Sequence, residues 1–270
     1  MDGDEFLARE IVRYGAYVCM RRSNGRDGRA VAAGAAVPAL AERLQLQNEF
    51  SPGAAPPRDS IAFLRRHAAT PGGIVDDDVL EADWIIHVAS KSPEPVAEFC
   101  AETSRLLGDA VRLRILSGVV RPPNYTGAAM QNFAYARAIV QQPGTVMPNA
   151  FLVPLSKTAA WWAKDWMERH TYFLPRYDDA GRMHNEGHTL AAAPGIGCLL
   201  RRTYKSTAEP AADGDFDFIS YFECTDADVP VFHAVCDALR DVARNPEWAF
   251  VREGPTWHGR RTATWPDLFT

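Results

Sequence analysis

The chain has 270 residues, of which 47% are hydrophobic, enough for one large domain or two small ones with a sizeable core. A formal charge of -5, from 29 basic against 34 acidic residues, gives no field that would attract nucleic acid or an anionic membrane, so any anion must be bound locally. Five cysteines, odd in number and without C-x-x-C spacing, exclude a disulfide framework and a structural zinc site and read as buried thiols.

The N-terminal MDGDEFLAREIV is acidic and has no charged-then-apolar leader, and no apolar run is long enough to span a bilayer; the expected location is cytoplasmic. In chain order, AYVCMRR reads as a strand and AAVPALAERLQLQ as a helix. SPGAAPPRDS (51 to 60) and TPGG (70 to 73) read as loops, and the segment from Gly25 to Ile74 is taken as a long insertion. From Asp83 the chain runs strand, polar turn and amphipathic helix, with Val96, Phe99, Cys100 and Thr103 forming one stripe, and then a strand, VRLRILSGVV. The second half repeats this. AFLVPL reads as a strand and TAAWWAKDWMERH as a helix; CLLRRTY is a strand; DFDFISYFEC and a helix carrying Val229, Phe232, Cys236 and Leu239 follow; WAFVREGP reads as the closing strand. Two strand-helix-strand-strand-helix-strand halves, 1–145 and 146–270, predict an α+β architecture with helices on one face of antiparallel sheets.

Seven histidines are available. HNEGH places His184 and His188 four apart, but the glutamate is outside the H-E-x-x-H position and glycine weakens a helix there, so a zinc site is disfavoured. After His188 the chain reads as a turn into a strand, and in CLLRRTY the alternation sends Leu199, Arg201 and Thr203 one way and Cys198, Leu200, Arg202 and Tyr204 the other. One arginine can then be solvated while its neighbour enters a pocket.

Several segments agree in order with one known family. His188, Arg201 thirteen residues on, YKST and DFDFISYFE, with PLSKTAAWW upstream and VRPPNYTG further back, resemble the haem-binding half of the chlorite dismutase family. The resemblance implies two ferredoxin-like repeats forming a dimeric α+β barrel-like domain, a haem b (iron) cofactor, and a homo-oligomer, pentamer or dimer. It also implies a small oxyanion substrate, with chlorite decomposed to chloride and dioxygen. By position, His188 matches the family's proximal iron ligand and Arg201 its distal arginine. Lys157 and Trp161 match residues holding the haem propionates, Trp162 lies beside the cofactor, Tyr125 after Asn124 is a propionate contact, and Glu247 is the acid orienting the proximal imidazole.

Three departures leave alternatives open. The stretch between Trp162 and His188 is longer than in the family, so that 163–187, like 25–74, could form a lid and His170 or His184 could replace His188. Glu253 stands where a tryptophan is common. Val153 stands in place of the tyrosine of the haem-synthesis decarboxylases, and valine cannot form a radical. The competing functions are haem chemistry on peroxide or an organic nitrogen-oxygen substrate, or a non-catalytic haem-binding protein.

Overall fold

The computed structural model describes residues 14–22, 36–50, 59–70, 79, 81–120 and 147–269. Tyr125, the expected boundary at 145/146 and much of 25–74 lie outside them. The N-terminal part comprises β1 (Tyr14–Arg22), α1 (Ala36–Arg43), the two-residue β2 (Gln47–Asn48), β3 (Ser60–Thr70), β4 (Trp84–Ser90), α2 (Pro93–Leu107) and β5 (Val111–Val120). The C-terminal part comprises β6 (Asn149–Lys157), the short helices α3 (Ala159–Trp162) and α4 (Trp166–Thr171), and a hairpin of β7 (Arg176–Tyr177) and β8 (Met183–Asn185). Then come α5 (Gly187–Ala191), β9 (Leu200–Lys205), β10 (Phe218–Cys224), α6 (Val229–Arg240), β11 (Val251–Glu253) and β12 (Thr256–Thr262).

The strands pair in the order β10-β9-β5-β1-β4-β3-β12-β6, and β10 also pairs with β6, so the sheet closes into a barrel. Within it the order β5-β1-β4-β3 repeats as β9-β10-β6-β12 read from the other end: numbered within each part, both are 4-1-3-2, the ferredoxin-like arrangement. The expected α+β duplication is therefore present, with corrections. IAFLRRHAA is not part of an insertion: it forms most of β3, which pairs antiparallel with β4 and with β12 and so holds the two parts together. The closing strand of the second part is β12 rather than WAFVREGP, of which WAF ends a 3-10 turn started by Pro246. The expected single helix over TAAWWAKDWMERH is two, with Asp165 capping the second by accepting from the Glu168 amide.

Side chains alternate between two sides of the barrel wall. From β1, Ala16, Val18 and Met20 pack outward against Val96, Phe99 and Cys100 of α2. Tyr17 and Cys19 point inward, to Ile85, Leu152, Tyr204, Tyr221 and Trp257. In the C-terminal part Phe151, Val153 and Leu199 pack outward against Phe232 and Val235 of α6. The site described next opens in that outer layer, between the sheet and α5 and α6.

Candidate functional site

A cavity of about 1160 Å³, counting its open mouth, separates the outer face of β6, β9 and β10 from the helical layer. The sheet supplies Val153, Leu155, Arg201, Thr203, Ser220 and Phe222; the helices supply His188, Ala192, Val235 and Leu239. Most of this lining is apolar, and polar groups are few, as suits a flat hydrophobic ligand oriented by a small number of contacts.

The helical wall is fixed by backbone contacts at the start of α5. Gly187 has φ of +63°, and a Cβ there would lie 2.4 Å from the Leu174 carbonyl oxygen, so the residue before His188 must be glycine. The Glu186 and Gly187 amides both donate to the Arg244 carbonyl at 3.0 Å, and Arg244 pairs with the Glu186 carboxylate at 2.9 Å. The His188 amide donates to the Tyr172 carbonyl at 3.3 Å, and its ring lies 5.3 Å from that of Phe173. His188 thus sits on a short helix, and the turn into a strand expected after it follows at Ala193–Gly195 and β9.

Beneath the imidazole is a buried charge relay. His188 Nδ1 lies 2.7 Å from Glu247 Oε2, and Lys157 Nζ lies 2.5 Å from Glu247 Oε1. Glu247 is 5% exposed and Lys157 4%. Burial opposes ionisation of Glu247, yet the neighbouring Lys157 and His188 outweigh it and hold the carboxyl well below the usual range. The ionised Glu247 accepts from Nδ1 of His188, which leaves Nε2 as the ring nitrogen not engaged by this carboxylate. The relay rests on aromatic rings: Lys157 Nζ lies 4.3 Å from the Trp161 ring centre, and Trp161, Phe173 and Phe218 form one cluster.

The structure brings His188, Lys157, Glu247 and Arg201 to one cavity. Lys157, which the resemblance assigned to a propionate, lines the cavity and pairs with Glu247. Trp161 is wholly buried and Trp162 donates through Nε1 to Asp217 Oδ2 at 3.2 Å; neither lines the cavity. His170 and His184 do not line it either; His184 is exposed on β8. Among the described residues no group of three or more His, Cys, Asp or Glu could hold a metal ion. The segment 163–187, whose role as a lid the sequence left open, contains α4 and the β7–β8 hairpin.

The sequence reading missed the Arg240–Glu253 ion pair, which joins the end of α6 to β11 in the cavity wall. It also missed the network inside the barrel. Arg202 is not solvated: its Nη1 lies 2.8 Å from Glu49 Oε1 and 3.3 Å from His87 Nδ1. His87 Nε2 lies 2.9 Å from Tyr204 Oη, and Tyr17 stacks on His87 at 4.7 Å. Tyr221 donates to Glu223 at 2.7 Å, and Arg261 pairs with Glu223 at 2.7 Å and with Glu49 at 3.3 Å. Burial first, then Arg202, pushes the His87 imidazole down to about 3.

No protein-family model matches the sequence, and no curated protein sequence does. Solved structures do. A tryptophan-to-phenylalanine variant of the chlorite dismutase from Candidatus Nitrospira defluvii, in complex with cyanide, superposes with a TM-score of 0.66 at 21% identity over 100% of this chain and 98% of that one. An arginine-to-lysine variant of the same enzyme gives 0.65 at 22% identity over 100% and 98%. A second protein, provisionally named a chlorite dismutase, gives 0.60 at 15% identity over 95% and 97%. The chain has the chlorite dismutase fold.

Proposed function

We propose that the protein is a haem b enzyme of the chlorite dismutase family and that it decomposes chlorite to chloride and dioxygen. The observation that carries the reading is the His188–Glu247–Lys157 relay at the wall of an apolar cavity, with Arg201 on the opposite sheet wall. The donor set fits haem. A neutral imidazole with Nδ1 tied to a carboxylate offers Nε2 as a single strongly basic ligand, and apolar walls accept a porphyrin face. His188 would hold the iron, Glu247 and Lys157 would fix the ring's tautomer and orientation, and Leu155, Val235 and Leu239 would enclose the macrocycle.

Bound haem would supply the redox chemistry that breaks the chlorine-oxygen bonds in ClO2⁻ → Cl⁻ + O2. The chain's own residues bind and orient. Arg201 stays protonated at any working pH and offers a planar set of donors to an oxyanion, which favours entry of chlorite and retention of oxychlorine species. Thr203 and Ser220, with hydroxyls 3.5 Å apart, add the only other hydroxyl groups of this sheet wall among the described lining residues. Assembly as a homo-oligomer is part of the same reading.

The test is reconstitution with haem b. The wild-type protein should give a ferric Soret band and evolve oxygen from chlorite, and His188→Ala should lose the band or hold haem weakly. An unaltered haem spectrum in His188→Ala removes the ligand assignment. A loaded protein silent toward chlorite but active with peroxide or an organic nitrogen-oxygen compound replaces the substrate while keeping the cofactor.

A further inference from the structure

Arg240 and Glu253 line the same cavity as His188 yet have no part in the chemistry above. Arg240 closes α6, and Glu253 closes β11, which pairs with β6 at Glu253↔Leu155. Arg240 Nε lies 2.8 Å from Glu253 Oε2 and 3.2 Å from Oε1, and Nη2 lies 2.5 Å from Oε1, so both carboxylate oxygens are covered by one guanidinium. The Glu253 side chain is 10% exposed and that of Arg240 30%, which places the anion deeper than the cation. Among the described residues Arg240 also meets Asp237, 3.7 Å away and 80% exposed, on the solvent side, where water screens it.

We infer that Glu253 is a specificity-determining residue: by neutralising Arg240 it stops the helical wall from collecting anions, so that anion selection falls to Arg201 on the sheet wall. In an apolar cavity a charge acts over a longer range than in water, so Arg240 without its carboxylate would compete with Arg201 for the same oxyanion and, as an added positive charge, would favour the reduced state of a bound metal. The Glu253 carboxylate cancels that field at close range. A fork-to-fork pair also fixes the Arg240 side chain, so the cation does not swing toward the cavity centre. The inference rests on the haem reading.

Haem-loaded wild type, Glu253→Gln, Arg240→Gln and the double variant are titrated with azide, an anion, and imidazole, a neutral ligand, and their ferric/ferrous midpoint potentials are measured by spectroelectrochemistry. Glu253→Gln should bind azide several-fold more tightly and have a raised potential. Arg240→Gln should shift both quantities the opposite way, and the double variant should return toward wild type, with imidazole affinity little changed throughout. Wild type that takes up no haem overturns both the cofactor reading and this inference. Normal Soret bands with azide affinity and potential unmoved, or moved in the same direction by both single variants, overturn this inference alone and make the pair a structural tie between α6 and β11.

Discussion

Arg201 and Arg202 are neighbours on β9 and meet opposite environments. Arg202 enters the barrel, where Glu49, His87 and Tyr204 surround it and its charge is matched by a carboxylate from the N-terminal part. Arg201 faces outward onto an open apolar cavity shared with His188. Two equal charges thus serve different ends because strand geometry turns consecutive residues to opposite faces: the inner one is spent on holding the two parts together, and the outer one is left where a ligand can reach it.

Removing the inner charge should have the largest effect on stability. Arg202→Leu deprives buried Glu49 of its nearest cation but leaves it Arg261 at 3.3 Å and the Ser60 hydroxyl at 2.8 Å, so it should cost roughly 2–3 kcal/mol in chemical denaturation, less than a fully orphaned buried charge. A loss below about 1 kcal/mol would mean that water enters the barrel and screens Glu49. Acid should act on His87 of that network and on His258, which stacks on Phe151 in the outer layer. His87 stays neutral in the fold down to about 3, and burial, followed by His67 and His233, lowers His258 to about 4, whereas in the unfolded chain both titrate near the ordinary histidine value. The unfolded state therefore binds protons first, and stability is lost as pH falls below about 6.5; at pH 5 each group should cost roughly 2 kcal/mol relative to pH 8. His87→Gln should flatten that slope, and an unchanged slope would place the acid sensitivity elsewhere. The smallest stability effect is expected at the outer face. Arg201→Gln should change unfolding free energy by no more than about 1 kcal/mol, since its side chain borders an open cavity, while lowering oxygen evolution from chlorite by about 10²-fold. Loss of stability with full turnover would reverse the roles of the two arginines.

The alternation in CLLRRTY was readable because a strand has a period of two, and the stripes of α2 and α6 were readable because a helix has one near 3.6. Knowing that Arg202 turns into the barrel to be paired needed Glu49 and His87, 153 and 115 residues away along the chain, which local pattern cannot supply. β3 was hidden by its surroundings: Pro- and Gly-rich segments flank it, and Arg65, Arg66 and His67 interrupt its apolar run. Glu247 was placed by likeness to a family, not by spacing, because it meets His188 across 59 residues and from within a turn. The Arg240–Glu253 pair left no trace in the sequence, since each residue alone looks like a solvated end of its element.

The outer layer of the N-terminal part, which corresponds by topology to the layer holding the cavity, is filled with side chains. Trp84, Phe99, Val18 and Met20 pack there together with Trp265 and Leu268 from the last turn of the described chain, and the Phe269 ring lies 4.7 Å from that of Trp84. Trp265, Leu268 and Phe269 therefore plug the opposite lobe: if haem binds as proposed, loading should saturate at one macrocycle per polypeptide, and clipping the chain before Trp265 would bare a greasy trough far from His188 and promote aggregation.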